Sequence, residues 1–315
     1  MKLLRGLKSL AVLKQGAAVT VGNFDGVHKG HQALLKQLCA RARERHLLSV
    51  VLFFEPQPAE FFSTKAPLRL MSCQQKLRSL QKLPIDYVYC IKFDQKYAAL
   101  SREVFAIEHL FKLFHAKYLL VGEDFRFGQH RAGTSEYLTE LGMKWNCDVE
   151  TFQDVIESER RISSTEIREA LAVGDLARAQ SALGRPYSVY GRVVKGEGRA
   201  RLWGFPTANV WMKHQSLVLN GVFLVQVRFQ KTMYWGVANV GHRPTFSGVY
   251  QRLEVHLFDF ESALYHKHID VFFIAQLRHE QKFLSVDALV AQIHQDCEQA
   301  KAMIHSGLLG LIDYD

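Results

Sequence analysis

The stretch that decides the fold of the first half of the chain is Val19-Thr20-Val21-Gly22-Asn23-Phe24-Asp25-Gly26-Val27-His28-Lys29-Gly30-His31. It passes from an apolar strand pattern through a glycine-rich turn into a helical pattern. In an open α/β sheet, ligands bind beyond the carboxyl end of such a strand. Glycines let the backbone approach a phosphate closely, and the start of the helix offers free N–H groups and the positive end of its dipole. The stretch therefore predicts a phosphate site on a strand–turn–helix unit.

Two histidines in this stretch are the candidate catalytic groups. His28 and His31 are three residues apart, so they share one face if the turn is helical. Two imidazoles beside a helix N-terminus suit the charge that develops on the α-phosphate of a nucleotide. The alternatives are a metal-binding pair or two exposed residues at a helix start, although no clear third ligand or H-E-x-x-H pattern accompanies them. The turn adds the nucleotide-binding candidates Gly22, Asn23, Phe24, Asp25 and Gly26.

Strand and helix patterns alternate through the first half of the chain. Continuous apolar runs, typical of strands buried on both faces of a parallel sheet, predict strands at residues 18–21, 48–54, 87–91, 118–121 and 149–152. Helical patterns lie between them, at residues 30–45, 74–81, 102–114 and 134–145, and two shorter ones follow at 164–172 and 175–182. This alternation predicts a doubly wound α/β sheet.

The pattern changes at Gly184-Arg185-Pro186, where a glycine ends a helix and a proline prevents its continuation. We therefore predict one domain over residues 1–185 and a second over 186–315. Strand patterns follow without intervening helices at residues 187–194, 207–211, 222–229, 234–240, 252–258 and 269–274. They predict an antiparallel β-barrel. A helix over residues 286–305, with Gly307 as its C-cap, is expected to follow the barrel.

The second phosphate motif is Gly196-Glu197-Gly198-Arg199-Ala200-Arg201-Leu202-Trp203-Gly204-Phe205-Pro206-Thr207-Ala208-Asn209. It lacks the G-x-x-x-x-G-K-[ST] pattern, which excludes a P-loop kinase. Thr207 and Asn209 point to the same side of an extended segment, and their oxygens are hard ligands suited to Mg²⁺. The basic loop before them supplies the phosphate-binding candidates Lys195, Gly196, Gly198, Arg199 and Arg201.

A strictly alternating strand supplies a candidate general base. In Arg252-Leu253-Glu254-Val255-His256-Leu257-Phe258, the apolar residues face one way and Glu254 faces the other. A half-exposed strand with a solvated glutamate is the simpler interpretation. In the functional interpretation, Glu254 removes the proton from a hydroxyl that attacks a phosphate.

Two further segments of the first half carry candidate ligand contacts. Ser164, Thr165 and Arg168 can hold the phosphates of a departing pyrophosphate, although Ser163 and Glu166 in the same segment also fit a helix capping box. The loop after the predicted strand at 118–121 is either an ordinary loop or an aromatic wall. Its candidate ligand-binding residues are Asp124, Phe125, Arg126 and Phe127.

Composition excludes several classes of protein. The chain has 315 residues, enough for about two domains, and no run of 18 apolar residues that would suggest a membrane span. Its five cysteines are scattered without a C-x-x-C pair, which predicts reduced thiols rather than disulfides or a zinc site. A net charge of +9 fits nucleic acid, polyanionic small molecules such as ATP, or simply a basic surface. Without a secretory signal, we expect a cytoplasmic protein.

Taken together, these motifs resemble the bacterial bifunctional riboflavin kinase/FMN adenylyltransferases, also called FAD synthetases, over nearly the whole chain. The resemblance implies two reactions: riboflavin and ATP give FMN and ADP in the barrel, and FMN and ATP give FAD and pyrophosphate in the α/β domain. It implies that His28 and His31 stabilise adenylyl transfer, and that Glu254 is the kinase base. It further implies Mg²⁺ on Thr207 and Asn209, and ATP phosphates on Ser164, Thr165 and Arg168. The flavin-binding residues that it implies are Asp124, Phe125, Arg126 and Phe127.

The chain departs from the family pattern at Gln57, Glu123, Ala200, Trp203 and His266, none of which is a proposed catalytic group. One alternative makes the barrel a nucleic-acid-binding module, but no clear set of exposed aromatics interleaves with basic residues there. Another is a flavin-binding protein with inactive sites, against which the intact motif residues argue. We therefore expect riboflavin, FMN and ATP as partners, without nucleic acid or membrane, and leave the oligomeric state open.

Overall fold

The computed structural model describes residues 1–157, 160–196, 198–212, 216–245 and 248–307, with the backbone alone for residues 199, 242–245 and 248–250. The chain packs as two compact units. One consists of Met1–Pro67 and Cys73–Ser163, and the other of Leu68–Ser72 and the chain from Ser164 onward.

A six-stranded parallel sheet forms the centre of the first unit. Its strands are β1 (Lys2–Leu4), β2 (Ala17–Val21), β3 (Leu48–Glu55), β4 (Tyr87–Lys92), β5 (Ala116–Gly122) and β6 (Asp148–Phe152). In space they follow the order β1-β4-β3-β2-β5-β6, and every neighbouring pair is parallel. The five strands predicted from apolar runs are confirmed, whereas β1, with three residues, is too short to give a pattern. A short antiparallel pair, β7 (Ile156–Glu157) and β8 (Arg160–Arg161), follows the sheet.

Helices cover both faces of this sheet, as a doubly wound fold requires. They are α1 (Lys29–Glu44), α2 (Pro58–Phe62), α3 (Cys73–Gln81), α4 (Gln95–Ala98), α5 (Arg102–Val104) and α6 (Ser135–Trp145), with 3₁₀ segments at Leu7–Gln15 and Gln129–Arg131. On one face, α1 buries Leu35 and Leu38. On the other, Leu110 and Leu138 join a core cluster with Val19. The helix predicted over 102–114 begins as α5 and continues with wider π-type turns over Phe105–Leu113.

The strand order places a topological switch point between β2 and β5. These neighbours are paired, but the chain continues from β2 to β3 on one side and from β5 to β6 on the other. The crevice beyond the carboxyl ends of such a strand pair is the usual ligand site of an open α/β sheet. The loops after both strands carry predicted site residues, so the fold brings two separately predicted segments to one edge.

The second unit contains a closed antiparallel barrel. Its strands are β9 (Ser188–Val194), β10 (Ala208–Trp211), β11 (Gly221–Phe229), β12 (Thr232–Thr245), β13 (Gly248–Leu257) and β14 (His268–Arg278). They close in the order β10-β13-β12-β11-β14-β9. Its helices are α7 (Ser164–Ala172), α8 (Leu176–Leu183), α9 (Arg199–Leu202) and α10 (Val286–His305). The predicted barrel and terminal helix are confirmed, and the short α9 between β9 and β10 was not predicted.

Glycines follow two helices at the places that the sequence indicated. Gly184 is the C-cap of α8, with a φ of 72°, and donates its N–H to the carbonyl of Gln180 at 2.8 Å. The C-cap of α10 is Ser306 rather than the predicted Gly307, which is the next residue and has a φ of 65°. Both angles lie in the left-handed region that favours glycine. By packing, α7 and α8 fall in the second unit, and the division of the two activities at residues 185 and 186 stays a prediction.

One buried ion pair fixes α10 to the barrel. Asp296, 4% exposed at its side chain, accepts from Arg278 Nε at 2.9 Å and from its Nη2 at 2.9 Å. Gln292, one turn earlier on α10, also donates to Asp296 at 3.0 Å. Cys297 and Ala300 form the buried apolar stripe of this helix, and the buried carboxylate beside it was not predicted.

Candidate active sites

The first candidate site is the histidine loop (residues 22–31), which follows β2. Phe24, Gly26 and Val27 have φ values of 47°, 84° and 43°, so this turn repeatedly uses the left-handed region. For a residue with a Cβ, and above all for β-branched valine, this conformation costs free energy and persists only where packing holds it. Phe24, Asp25 and Val27 are all buried, which supplies that packing. The loop is therefore held by buried side chains and presents a fixed backbone to a ligand.

The two histidines lie together at the start of α1, as predicted. His28 caps the helix, and its Nδ1 accepts the backbone N–H of His31 at 3.3 Å. The two rings stack with centroids 3.6 Å apart. A Cβ at Gly30 would lie 3.1 Å from His28 Nδ1, so the missing side chain gives the ring its place. Because Nδ1 accepts this bond, a neutral His28 carries its proton on Nε2, where it can be donated to a phosphate.

His31 is electrostatically unusual. Burial, then the neighbouring His28 and then the charge of Lys76 lower its pKa well below the ordinary value of 6.5. Its Nδ1 is buried and has no hydrogen-bond partner within the described part of the chain. His31 is therefore a neutral imidazole at pH 7, with one buried ring nitrogen that a ligand can satisfy. Perturbed pKa values and unsatisfied buried groups of this kind concentrate at functional sites.

Lys76 is a site residue that the sequence analysis missed. It lies on α3, is only 1% exposed, and its Nζ donates to the carbonyl of Asn23 in the histidine loop at 2.5 Å. The same ammonium lies over the ring of Phe53, 4.7 Å from its centroid. Lysines are rarely buried without a paired charge or a ligand role. Its position four residues before the buried Leu80 was the available signal, because a lysine on the apolar face of a helix is unusual.

The loop after β5 contributes the flavin-binding candidates. Phe125 is partly exposed and stacks on Phe127, with centroids 5.4 Å apart. Phe127 is itself buried and packs against Phe105. Asp124 forms an ion pair with Arg161, and Arg126 donates to the carbonyl of Phe125 at 2.9 Å. Phe125 therefore presents the exposed ring of this loop, and Phe127 supports it from the core.

Gln57 also lies at this edge of the sheet, two residues beyond the end of β3. It is 7% exposed, and its side-chain Nε2 has no hydrogen-bond partner among the described residues. Its backbone N–H donates to Glu60 at 2.9 Å. A buried amide donor without a partner costs free energy unless a ligand or water accepts its hydrogen bond. Gln57, at which the chain departs from the family pattern, therefore places a hydrogen-bond donor near the carboxyl end of β3, the strand next to β2.

The three phosphate-binding candidates Ser164, Thr165 and Arg168 lie on α7 and belong to the second unit, whereas His28 and His31 belong to the first. Arg168 Nε donates to the carbonyl of Leu68 at 2.6 Å. On the same helix, Glu166 forms an ion pair with Arg178 at 3.4 Å. Arg168 is therefore anchored on one side by the Leu68–Ser72 segment of its own unit.

The second candidate site is a row of polar residues across three strands of the barrel. Asn209 on β10 lies directly opposite Glu254 on β13, and Glu254 lies directly opposite Asn239 on β12. Residues directly opposite one another in a sheet point to the same face. Thr207, two residues before Asn209, shares this face. Asn239 was not predicted as a site residue, because only the strand register reveals its position beside Glu254.

The alternation predicted for β13 is confirmed by burial. Leu253, Val255 and Leu257 are buried, whereas Glu254 is partly exposed, with 32% of its side chain accessible. Arg252 lies 3.9 Å from Glu254 on the same face. His256, also on this face, hydrogen bonds to the carbonyl of Pro206 at 2.9 Å. Glu254 is thus close to the Pro206–Thr207 segment and retains an open side for a substrate hydroxyl.

A cavity of about 490 Å³ lies beside this row, and its lining includes Gly198, Arg201, Thr207, Leu264 and Tyr265. The size falls within the range of pockets that hold small-molecule ligands. Next to the lining, Gly196 packs on the side chain of Asn209: a Cβ there would lie 2.1 Å from its Nδ2. Lys195 is exposed, and the side chain of Arg199 and the segment Arg243-Pro244-Thr245-Phe246 lie outside the described side chains.

The donor set of the barrel fits a magnesium ion that is shared with a nucleotide. Nowhere in the described ranges do three His, Cys, Asp or Glu side chains cluster closely enough to hold a metal by themselves. Thr207 and Asn209 instead offer two neutral oxygens on one face, in the cavity region where Arg201 adds positive charge. Mg²⁺ is usually held by one or two protein ligands together with substrate phosphates and water.

The described residues also contain no helix long and apolar enough to cross a bilayer.

Comparisons with known proteins show which family the chain belongs to. The FAD synthetase family model matches residues 11–166, and the riboflavin kinase family model matches residues 183–304. The bifunctional riboflavin kinase/FMN adenylyltransferase of Escherichia coli strain K12 is 46% identical, over 94% of this chain and 96% of that protein. The Haemophilus influenzae protein of the same name is 44% identical, over 97% and 100%. The crystal structure of a macrolide-efflux protein from Streptococcus pneumoniae has a TM-score of 0.79 and 31% identity, over 95% and 98%.

The resemblance stated from the motifs is therefore confirmed, and so are the predicted enzyme class and the order of the two activities along the chain. The chain belongs to the family of bifunctional riboflavin kinase/FMN adenylyltransferases, which convert riboflavin to FMN and FMN to FAD with ATP as co-substrate.

Proposed function

We propose that adenylylation of FMN takes place at the histidine loop, with His28 and His31 as its catalytic groups. The observation that carries this assignment is the stacked histidine pair at the first turn of α1, beside the switch point between β2 and β5. In the proposed reaction, a phosphate oxygen of FMN attacks the α-phosphorus of ATP directly, and pyrophosphate leaves. We assign this activity to a domain that extends over residues 1–185. The two family models match residues 11–166 and 183–304, which supports a boundary between the two activities near residue 185.

The two histidines have different tasks in this proposal. His28 donates from Nε2 to a non-bridging oxygen of the α-phosphate, since its Nδ1 is occupied by the N–H of His31. His31 is neutral, so it donates a hydrogen bond to the phosphate without carrying a buried positive charge itself. The N–H groups of α1 and the backbone of residues 22–26 hold the remaining oxygens. Ser164, Thr165 and Arg168 bind the β- and γ-phosphates, and Phe125 stacks on the flavin with Asp124, Arg126 and Phe127 around it.

Phosphorylation of riboflavin takes place at the polar row of the barrel, with Glu254 as general base. Glu254 accepts the proton of the attacking riboflavin hydroxyl. Asn209 and Asn239 flank it in register and orient the hydroxyl and the phosphate between them. Arg201 and the basic loop at residues 195–201 bind the nucleotide phosphates in the adjoining cavity. Thr207 and Asn209 would hold Mg²⁺, which neutralises charge on the β- and γ-phosphates when it is bound.

Substitutions that separate the two activities test this assignment. His28→Ala removes one donor to the transition state and should lower FAD formation from FMN by about 10²–10³-fold. Glu254→Ala removes a general base and should lower FMN formation from riboflavin by about 10²–10⁴-fold. Each variant should retain the other activity. Chromatography of flavin products, with riboflavin or FMN supplied separately, measures both. Loss of both activities in a folded single variant would refute the two-site assignment.

The metal role of Asn209 is tested by titration with Mg²⁺. Asn209→Ala removes one of two neutral oxygen ligands, so the kinase step should need a higher Mg²⁺ concentration for half-maximal rate. Adenylylation by the same variant, at its own Mg²⁺ optimum, is the internal control. Ser in place of Thr207 keeps the hydroxyl and should change the requirement less than Asn209→Ala. An unchanged Mg²⁺ dependence in Asn209→Ala would reject its ligand role.

We also propose small-molecule partners alone and a cytoplasmic location. The five free cysteines support a reducing compartment. The basic charge serves ATP and its phosphates rather than nucleic acid. Nucleic-acid binding would show as affinity for single-stranded RNA that falls steeply with salt, and its detection near physiological salt would contradict the proposal.

A further inference from the structure

Two cysteines of the first unit differ from the other three. Cys39, Cys147 and Cys297 are buried, whereas Cys73 and Cys90 are both partly exposed. Cys73 is the first residue of α3, and Cys90 lies on β4. The two thiols are close enough to hydrogen bond with each other. They are 17 positions apart in the chain, so the fold rather than a local motif brings them together.

The packing of α3 on the sheet gives the same juxtaposition independently. Cys90 lies directly beside Phe53 in the parallel register of β3 and β4, so both side chains point to one face. Lys76 lies over the ring of Phe53, at 4.7 Å. Lys76 is three residues after Cys73, and residues at this spacing share a face of a helix. The first turn of α3 therefore faces the part of the sheet that carries Cys90.

We propose that Cys73 and Cys90 form a reversible disulfide, and that its formation lowers the rate of FMN adenylylation. The inference rests on the proposed role of the histidine loop in adenylyl transfer. It assigns a modification site to two residues that have no part in the proposed chemistry of either reaction.

The oxidant is a low-molecular-weight disulfide. The Cys73 thiolate attacks one sulfur of this disulfide, the bond between its two sulfurs breaks, and the released thiolate takes up a proton from water. Cys90 then loses its proton to water and attacks the Cys73 sulfur of the mixed disulfide, releasing the second small thiol. Two protein thiols are oxidised and one small disulfide is reduced to two thiols. Cys73 attacks first because Cys90 is the poorer nucleophile. The hydrogen bond with the Cys73 thiol, and then burial, raise the pKa of the Cys90 thiol and keep it protonated.

The link to the active site runs through Lys76. This ammonium donates to the carbonyl of Asn23 in the histidine loop, and its charge acts on His31. A covalent bond holds two sulfurs closer together than a hydrogen bond does, so oxidation draws the first turn of α3 toward β4. Lys76, one turn later, moves with it. A displacement of about 1 Å at a catalytic site can cost about 10²-fold in rate, so a small shift is sufficient.

The test uses the full-length reduced enzyme, incubated with glutathione disulfide and then mapped by mass spectrometry. We expect a peptide cross-linked between Cys73 and Cys90, and a fall in FAD formation from FMN of at least about tenfold. FMN formation from riboflavin should remain unchanged, and dithiothreitol should restore adenylylation. Cys73→Ser should keep its adenylylation after the same treatment. Cys147→Ala, which removes a buried thiol of the same unit, is the matched control and should remain as sensitive as the unmodified chain.

Three results would overturn the proposal: glutathione adducts without a Cys73–Cys90 cross-link, a cross-link that leaves adenylylation unchanged, or equal inactivation of Cys73→Ser. Failure of the proposed active site would look different. In that case His28→Ala would leave FAD formation by the reduced enzyme intact, while the peptide map would still report whether the two thiols combine.

Discussion

At the scale of single residues, the first site is defined by three nitrogen-containing side chains in contact through the histidine loop. His28 caps α1, His31 stacks on it, and Lys76 holds the loop from α3. A buried ammonium beside an imidazole disfavours a second positive charge, and burial has the same effect. The site therefore combines the positive charge of Lys76 with a neutral His31 and the imidazole of His28, which is a suitable arrangement for a phosphate that arrives with negative charge.

Lys76→Met tests how far this lysine controls His31. Removing its charge takes away one of the causes that lower the His31 pKa, so that pKa should rise toward its ordinary value near 6.5. His31 would then be protonated at a higher pH, and the acid limb of the rate profile for FAD formation should shift upward. The rate at neutral pH should also fall, since Asn23 loses its hydrogen bond. Profiles of initial rate between pH 5 and 8 measure both effects.

The sign of the matching stability effect can be stated. Below about pH 6.5, an unfolded chain binds a proton at His31 that the folded chain does not bind. Acidification through the pH range between the unfolded and the folded pKa of His31 therefore lowers the free energy of unfolding of the first unit. Lys76→Met narrows this pH range, because it raises the pKa of His31 in the folded chain. Lys82→Met, on the loop directly after α3, is the control for loss of a lysine in general. An acid limb that stays in place in Lys76→Met would show that burial and His28 alone set the His31 pKa.

What sequence could predict at this scale depends on how local the contacts are. His28 and His31 lie one helical turn apart, and a turn between a strand and a helix already puts them together. Lys76 reaches Asn23 across 53 positions of the chain, so only the packing of α3 reveals it. Asn239 could not be predicted for a similar reason. Alternation along β13 shows which face carries Glu254, but only the register between β12 and β13 shows that Asn239 lies beside it.

At the scale of elements, α10 is fixed to the barrel by a buried polar group as well as by its apolar stripe. Asp296 receives three hydrogen bonds from Arg278 and one from Gln292. On the same helix, His294 packs edge-on against Phe205, with ring centroids 4.6 Å apart. Phe205 directly precedes the segment that carries Thr207. The docking of α10 therefore bears on the kinase site as well as on stability.

Asp296→Ala should be strongly destabilising, because it leaves the Arg278 guanidinium without its carboxylate. Breaking one side of a buried ion pair costs about 3–5 kcal/mol of the free energy of unfolding. The matched control is Glu298→Ala on the same helix, whose partner Lys301 lies 3.0 Å away at the exposed surface. That substitution should change stability little. Urea unfolding of the second unit, followed by the fluorescence of its tryptophans, measures the difference. Equal losses in the two variants would show that Asp296 contributes no more than a surface pair.

The elements themselves were largely predictable, and the exceptions have physical causes. Apolar runs and helical periodicity are local signals, and they found every strand of the sheet with five or more residues. β1 and α9 are short elements of three and four residues that exist because neighbours complete their hydrogen bonding or packing. The switch point between β2 and β5 could not be predicted, because it depends on the order in which the strands assemble.

At the scale of the whole molecule, the chain carries two reactions in which the product of one is the substrate of the other. The catalytic candidates of each reaction lie within one unit: the histidine loop lies in the first unit, and the polar row of Asn209, Glu254 and Asn239 lies in the second. Neither set of catalytic candidates takes a side chain from the other. The two activities should therefore survive in separate molecules.

A mixture of two singly inactivated proteins tests this independence. His28→Ala should make FMN but no FAD, and Glu254→Ala should make FAD only when FMN is supplied. When both proteins are mixed with riboflavin, ATP and Mg²⁺, FMN released by the first diffuses to the second, so FAD should form after a lag. The lag should shorten as the concentration of Glu254→Ala rises, because a free intermediate is captured faster by more enzyme. A doubly substituted chain, His28→Ala with Glu254→Ala, is the control and should form neither product. If the mixture forms no FAD, and FMN only up to one molecule per molecule of His28→Ala, while added FMN is still converted, the intermediate does not leave the first protein, and the two sites depend on being joined in one chain.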